Sequence, residues 1–148
     1  MKTILAAVDF SPVTADVVAR SAELARAFGA ALWLVHVAAP DPDFVGYDSG
    51  PQSVRRTVAA ELHETHRRLQ EQSAALRADG LECTGLLVQG STPETIVREA
   101  ERLQADLVVL GSHGYGALRR ALLGSVSEHV LHHAHRPLLI LPAPRPAA

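Results

Sequence analysis

Apolar and polar positions along the chain alternate between two kinds of segment. Short and almost uninterrupted apolar runs have the length of buried strands. They occupy residues 3–8, 31–37, 82–88, 106–110 and 138–141. The longer segments between them carry apolar residues at helical spacing, with charged residues in between. The pattern predicts the order βαβαβαβαβ.

The first predicted helix has a start signal and a stop signal. Ser11 is expected to cap it, with Pro12 at the first helical position, where a missing N–H costs nothing. Gly29 is expected to end it. The helical spacing predicts an inward face made of Val17, Ser21, Leu24, Ala25 and Phe28.

Three further helices follow from the same pattern. The second is long, closes at Gly80 and has an apolar face made of Val54, Val58, Leu62, Leu69 and Leu76. The third opens at Thr92 and Pro93, and its predicted inward residues are Ile96, Val97, Ala100 and Leu103. The fourth is predicted over residues 125–134. Residues 38–51, with three prolines and two glycines, read as a loop.

Strands that lack polar alternation are buried on both faces, which indicates a mostly parallel sheet covered by helices. Right-handed crossovers then give a single doubly wound α/β domain with five parallel strands and four helices. The expected strand order is 3-2-1-4-5. We expect this domain over residues 1–142, followed by a Pro/Ala tail at 143–148. Such sheets bind ligands beyond the carboxyl ends of the strands, where the winding direction reverses.

Composition excludes several classes of function. The 148 residues are 47% apolar and carry a formal net charge of -2, so no basic footprint indicates nucleic acid as a partner. No apolar run approaches the roughly 20 residues that span a bilayer, and the start lacks a signal-peptide pattern. No membrane association is expected, and the expected location is cytoplasmic. The single cysteine, Cys83, cannot form an internal disulfide.

The most informative stretch is GSHGYGALRRALLGSVSEHV, residues 111–130, between an apolar strand and a helix. Glycines at 111, 114 and 124 let backbone N–H groups approach a ligand closely. The start of the last helix adds unpaired N–H groups and a partial positive charge, which favour phosphate. The stretch contains no Gly-Lys-Ser/Thr, so it is not a Walker P-loop. Arg119 stands where a dinucleotide fingerprint would have its third glycine.

The spacing Gly-x2-Gly-x9-Gly-Ser resembles the ATP-binding signature of universal stress proteins. The opening Ala-Val-Asp-Phe-Ser at 7–11, the strand Leu-Val-His-Val at 34–37 and the ending Arg-Pro-Leu-Leu-Ile at 136–140 are similar to that family as well. The likeness covers residues 2–141. It implies an adenine nucleotide alpha hydrolase-like fold and ATP, with Mg²⁺, as the cofactor.

The resemblance also implies a site shared among several strand ends. Asp9 would face the ribose or a phosphate-bound metal ion, and Ala7 and Val37 would flank the adenine. The ribose and the first phosphates would lie against Gly111, His113 and Gly114. The outer phosphates would be held by Gly124, Ser125 and Val126.

Structural interpretations of the same residues stay open. Asp9 is also a plausible turn or capping residue at a strand end, and Ser125 and Glu128 have the spacing of a capping box. The capping box and a phosphate site would use the same helix end. Arg119 and Arg120 could contact phosphate, but solvated loop arginines are the favoured interpretation.

The last strand, Leu138–Leu141, is very apolar and is expected at a sheet edge, which invites pairing with another chain. The resemblance implies a homodimer through this strand. The favoured hypothesis is therefore a dimeric, ATP-binding regulatory protein in the stress response. Any ATP hydrolysis would be slow, because no arginine finger or water-positioning residue is evident. The alternatives are an ATP-dependent phosphoryl- or adenylyl-transfer enzyme and a ligand-free dimerisation module.

Histidines form the remaining chemical pattern. The last helix region carries His129, His132, His133 and His135, of which the first and third are one turn apart. Such spacing can bind a metal, but no Cys or carboxylate partner stands at a matching position, so a solvent-facing helix is favoured and no metal site is predicted. His36 is expected to be a hydrogen-bonded core residue, and Trp33 and Cys83 to serve packing.

Overall fold

The structure is a computed structural model that describes residues 1–40, 52–112 and 124–143. Within these residues, strands and helices alternate in the predicted order. The strands are β1 (Thr3–Ala7), β2 (Ala31–Ala38), β3 (Cys83–Gln89), β4 (Leu107–Gly111) and β5 (Leu138–Leu141). The helices are α1 (Thr14–Phe28), α2 (Gln52–Ala78), α3 (Thr92–Arg102) and α4 (Ser125–His133). In this part of the chain, no helix has the length and apolar content needed to cross a membrane.

All five strands are parallel and lie in one sheet in the order β3-β2-β1-β4-β5, which confirms the predicted topology. The chain moves outward from β1 to β2 and β3, and then crosses back to place β4 on the other side of β1. The carboxyl ends of β1 and β4 therefore flank the point where the winding direction reverses. A crevice is expected at this point of a doubly wound sheet.

The core has two layers, one on each face of the sheet. Consecutive residues of a strand point to opposite faces, so Ile4 and Ala6 enter one layer and Leu5 the other. The first layer contains Val17 of α1 and Leu69 of α2. The second contains Ile96 and Ala100 of α3 and Val130 of α4. Two helices thus cover each face, as the uninterrupted apolar strands predict.

The start of α1 differs from the prediction. The helix begins at Thr14, Val13 takes the N-cap position, and no side chain caps the helix. Ser11 instead lies in a turn: its N–H donates to Asp9 Oδ1 over 3.0 Å, and its carbonyl oxygen accepts from the N–H of Thr14 over 3.0 Å. The prediction of Ser11 as the cap and Pro12 as the first helical residue was wrong: the carbonyl oxygen of Ser11, and not its hydroxyl, accepts the N–H of Thr14, so Ser11 and Pro12 form a turn before α1 begins.

The end of α1 confirms one prediction and corrects another. Gly29 follows the helix in the left-handed region (φ 60°), where its N–H bonds back to the last helical turn. Phe28, predicted to point inward, is 55% exposed. Helical spacing determines which side of the helix a residue occupies, but Phe28 is the last residue of α1, and the core contacts on that side end at Ala25.

Strand boundaries shift by about one residue from the prediction. Asp106, predicted as the first residue of β4, stands before it and accepts N–H groups of Lys2 and Thr3 in its carboxylate. These bonds hold the pKa of Asp106 below its ordinary value. β2 extends through Ala38, and residues 41–51 of the predicted loop lie outside the described residues.

Candidate functional site

A cleft of about 230 Å³ opens at the carboxyl ends of the central strands. It lies at the reversal point between β1 and β4, and α1, α3 and α4 contribute to its walls. Most of its lining is apolar. The described lining residues are Ala7, Val8, Asp9, Val13, Thr14, Val17, Val35, Val37, Thr92, Ile96, Leu110, Gly111 and Val126. Five of these, Ala7, Asp9, Val37, Gly111 and Val126, are candidate site residues from the sequence.

Asp9 is held in position at the mouth of the cleft. Its Oδ1 accepts the N–H of Ser11 over 3.0 Å and the Thr14 hydroxyl over 3.1 Å. Both bonds are local and fix the carboxylate between the end of β1 and the first turn of α1. The turn role and a ligand-binding role are therefore compatible, because the bonds orient the group beside the cleft.

Phe10, the next residue, has an unusual backbone conformation. Its φ of 59° is in the left-handed region that residues other than glycine rarely adopt. The Arg68 guanidinium lies 4.2 Å above its ring centroid, and the His36 ring lies 5.1 Å away. His36 in turn donates from Nδ1 to the carbonyl oxygen of Val8 over 2.7 Å, which confirms that it is hydrogen-bonded, in a partly buried position. Residues of β2 and α2 thus contact the turn that carries Asp9.

Gly111 allows α1 to approach the end of β4. A Cβ added at Gly111 would lie 2.3 Å from Val13 Cγ1, a contact that cannot exist. The end of β4 therefore packs directly against the residue before α1, and both residues line the cleft. The predicted ligand residues His113 and Gly114 lie outside the described residues.

The start of α4 is at Ser125, with Gly124 as its N-cap residue in an extended conformation. Only Val126 of this group is among the described cleft-lining residues, so Gly124 and Ser125 stand next to the cleft in sequence without lining it. The capping-box prediction was wrong: Ser125 is the first helical residue, and no side chain caps α4. Glycine at the N-cap leaves the first amides of α4 without a side-chain acceptor.

Comparison with known proteins resolves the family. The sequence profile of the Universal stress protein family matches residues 1–142. The chain belongs to the universal stress protein family. The resemblance inferred from the glycine spacing and the strand motifs is thereby confirmed.

Relatives of this universal stress protein match it over nearly its whole length. A universal stress protein of Thermus aquaticus is 33% identical, and the match covers 95% of this chain and 98% of the relative. A solved structure from the family in Burkholderia pseudomallei is 30% identical, with a TM-score of 0.72 and 96% of each chain covered. The universal stress protein of Archaeoglobus fulgidus, solved in complex with dAMP, is 25% identical, with a TM-score of 0.63, and the match covers 95% of this chain and 97% of that one.

Several cleft residues of this family member were missed by sequence reasoning. Val13 lines the cleft from the N-cap position of α1, Thr14 and Val17 line it from the first turn of α1, and Thr92 and Ile96 line it from α3. The sequence could have indicated Thr92 and Ile96, because they are one helical turn apart at the amino end of a helix that follows a strand. Only the sheet order shows that this end of α3 reaches the same crevice as β1 and β4.

Two other predictions concern residues outside the cleft. Cys83 is buried, as predicted, and burial raises the pKa of its thiol to about 11, so it stays protonated at neutral pH. His132, His133 and His135 are exposed, but His129 is partly buried and its Nε2 lies 3.7 Å from Oε1 of Glu94. The carboxylate beside His129 comes from α3, so the sequence positions around the histidines did not show it.

Proposed function

We propose that this universal stress protein binds ATP, with Mg²⁺, in the cleft beside Asp9, and acts as a dimeric regulatory protein in the stress response. The observation that carries the proposal is the cleft itself. It lies at the reversal point of the sheet and is lined by candidate residues from β1, β2, β4 and α4. The family member from Archaeoglobus fulgidus in complex with dAMP supports an adenine nucleotide as the ligand.

The apolar part of the cleft suits a nucleobase. Val37, Ile96 and Val17 give it walls from three different elements. Binding pockets for small molecules are mostly apolar, with a few polar groups that fix orientation. In this proposal, adenine lies between Ala7 and Val37, and backbone groups near Val37 contact its edge.

Asp9 suits the next part of the ligand. A carboxylate can accept hydrogen bonds from ribose hydroxyls, and it is also the preferred protein ligand of Mg²⁺. Among the described lining residues, Asp9 is the one charged side chain, and no Lys or Arg lines this part of the cleft. A bound triphosphate would therefore depend on the metal ion and on backbone N–H groups for charge compensation.

Three helices begin at the cleft and bring the positive ends of their dipoles to it. Thr14 is the first residue of α1, Thr92 is the first of α3, and Val126 is the second of α4, and all three line the cleft. Each helix terminus contributes about 0.3–1 kcal/mol in exposed settings, so three give roughly 1–3 kcal/mol. Micromolar affinity needs about 8 kcal/mol. Burial of the base and the contacts of Asp9 must therefore contribute most of the affinity.

Calorimetric titration and thermal unfolding with ATP, ADP, AMP and GTP test the proposal. Ligand at 100 times its dissociation constant should stabilise the native state by about 2.7 kcal/mol. We expect ATP to raise the unfolding temperature in the presence of Mg²⁺ and GTP to raise it less. No shift with any nucleotide would contradict nucleotide binding and favour the ligand-free module.

Two matched substitutions test the location. Ala7→Leu places a larger side chain in the cleft at the end of β1, whereas Ala38→Leu makes the same change at the end of β2, outside the cleft lining. The first should abolish the ATP-induced shift and the second should retain it. Gly124→Val should also abolish the shift while the protein stays folded. Rapid release of ADP or pyrophosphate with a co-substrate would favour the transferase alternative.

The dimer part of the proposal rests on β5. This strand is the last in the sheet order, and all four of its residues are half-buried, so its apolar side chains are not fully covered by the chain itself. Pairing with the same strand of a second copy would satisfy the outer edge.

A further inference from the structure

The two edge strands of the sheet differ in how their outward-facing backbone groups are covered. β3 is the first strand in the sheet order and β5 is the last. Every second residue of a strand directs its N–H and carbonyl groups to the same side, so an edge strand offers alternate residues to a further strand. An edge that keeps these groups free can pair with another chain. The cover of each edge therefore determines where a second copy can pair.

Alternate residues of β3 face away from the sheet, starting at Cys83. The N–H of Leu32 in β2 bonds to the carbonyl oxygen of Glu82, the residue just before β3. Because the direction alternates along the strand, Thr84 and the second residues after it also face β2. The outward-facing residues of β3 are therefore Cys83, Gly85, Leu87 and Gln89.

Two side chains of α2 bond to outward-facing carbonyl oxygens of β3. Arg77 donates from Nη1 to the carbonyl oxygen of Cys83 over 2.8 Å, and Gln70 donates from Nε2 to that of Gly85 over 3.1 Å. A paired strand would lie only about 4.8 Å from β3, so these side chains also occupy its place. The four residues of β3 that remain are fewer than the roughly 5–6 of a usual strand.

Gly85 allows α2 to lie close enough to β3 for these bonds. A Cβ added at Gly85 would lie 3.0 Å from Leu69 Cγ and 3.2 Å from Ser73 Oγ, closer than the ordinary 3.5–4.0 Å or so between non-bonded carbon atoms. Leu69 and Ser73 are both fully buried, so packing holds the helix in this position. Leu69 directly precedes Gln70, and the close approach brings the Gln70 amide to the edge of the sheet.

β5 lacks such a cover in the described part of the chain. The carbonyl oxygens of Pro137 and Leu141 accept N–H groups of β4, so the outward-facing residues between them are Leu138 and Ile140. Among the described residues, no side chain bonds to the backbone of these two. The two edges of one sheet are therefore covered unequally.

We infer that Gln70 and Arg77 close the β3 edge to strand pairing with a second copy of this chain. A sheet with two open edges can add copies at both, and head-to-tail contacts of that kind form open filaments unless a rotation closes them. Closing one edge limits strand pairing to the other. The inference concerns α2 and β3, so it depends neither on nucleotide binding nor on the unchanged chain being a dimer.

Removing both side-chain bonds tests this inference. The double variant Gln70→Ala/Arg77→Ala leaves the carbonyl oxygens of Cys83 and Gly85 open to another strand. Light scattering after size-exclusion chromatography, over a range of concentrations of the full chain, should show particles of at least about twice the mass of the unchanged chain. Far-ultraviolet circular dichroism checks that the variant is folded. If it is not, the two single variants, each of which loses one bond, are measured in the same way.

Arg67→Ala/Glu71→Ala is the matched control. Both residues are exposed on α2, and their ion pairs, between themselves and with Glu64, stay within that helix. This variant removes two polar side chains from the same helix without opening β3. It should keep the mass of the unchanged chain at every concentration.

Thr84→Lys, added to the Gln70→Ala/Arg77→Ala variant, tests whether the association runs through β3. Thr84 is an exposed residue of this strand, and a lysine on an edge strand opposes pairing. The triple variant should return to the mass of the unchanged chain. The inference is overturned if the double variant keeps that mass at every concentration, if the control associates to the same extent, or if Thr84→Lys does not reverse the association.

Discussion

At the scale of single residues, the turn after β1 is the feature through which the fold positions Asp9 beside the cleft. Phe10 adopts a left-handed backbone, although its side chain makes that conformation unfavourable by roughly 1–2 kcal/mol. Its ring lies between Arg68 and His36, and these contacts offset the backbone cost. The strained residue directly follows Asp9, so the turn that orients the carboxylate depends on contacts from β2 and α2.

Two substitutions at Phe10 distinguish the free-energy cost of its left-handed backbone from the stabilisation by its ring contacts. Phe10→Ala and Phe10→Gly both remove the ring, but only glycine relieves the left-handed strain. We expect Phe10→Gly to be more stable than Phe10→Ala by about 1 kcal/mol, the reverse of the usual order of these residues. Urea unfolding of both variants measures the difference. Equal stability, or a more stable alanine variant, would show that the turn is not strained.

At the scale of elements, the sequence allowed nearly the whole architecture to be predicted. Apolar runs and glycine stops located every strand and the ends of α1 and α2, since these depend on local periodicity and on backbone freedom at Gly29 and Gly80. Helix starts were less predictable. Ser11 lies in the turn before α1 and does not cap it with its side chain, and Ser125 is the first residue of α4 and not its N-cap, so a capping residue type does not determine the exact position of a helix start.

The candidate site was predictable where it depends on strand ends and not where it depends on helix packing. Asp9, Val37 and Gly111 were expected in the site from the family resemblance, and all three lie at or just after strand ends that line the cleft. The α3 contribution to the cleft and the contact between Glu94 and His129 require knowing which helices share a face of the sheet. Such contacts join residues far apart in sequence, so neither the composition nor the spacing of residues along the chain predicts them.

The junction between β1 and β4 gives a pH-dependent prediction. Because N–H groups of Lys2 and Thr3 lower the pKa of Asp106, its stabilising contribution is present above the unfolded pKa, roughly 3.9, and is lost as pH falls through the lower folded value. Asp106→Asn should therefore reduce the free energy of unfolding at pH 7, and the difference from the unchanged chain should shrink toward pH 2–3.

Urea unfolding across this pH range measures the effect. Asp79→Asn is the control, because Asp79 is exposed in the turn after α2 and its ion-pair distance to Arg26 is 3.8 Å. It should change stability little at any pH. A difference for Asp106→Asn that stays constant down to pH 2 would contradict the role given to the carboxylate charge.

At the scale of the whole molecule, the edge strand β5 gives a test of the dimer. Val108 donates to the carbonyl oxygen of Pro137, and Ser112 donates to that of Leu141. Alternate residues of a parallel strand bond to the same neighbour, so Leu138 and Ile140 direct their backbone groups outward. Ile140→Pro removes one outward N–H and leaves the bonds to β4 intact.

We expect the unchanged chain to be a dimer and Ile140→Pro to be a monomer with a similar far-ultraviolet spectrum, as measured by light scattering after size-exclusion chromatography. Ile140→Val, which retains the N–H, should remain dimeric. A monomeric unchanged chain, or a proline variant that stays dimeric, would contradict pairing through β5.

The central claim is that an adenine nucleotide binds in the cleft at the reversal point of the sheet. Titration of the isotope-labelled protein with ATP and Mg²⁺, followed by backbone amide chemical shifts, tests it most directly. The account predicts saturable shifts at Asp9, Val37, Gly111 and Val126. It predicts no shift at Cys83, which lies at the amino end of β3, on the other edge of the sheet from the cleft. An unchanged spectrum, or saturable shifts confined to residues away from the cleft, would contradict it.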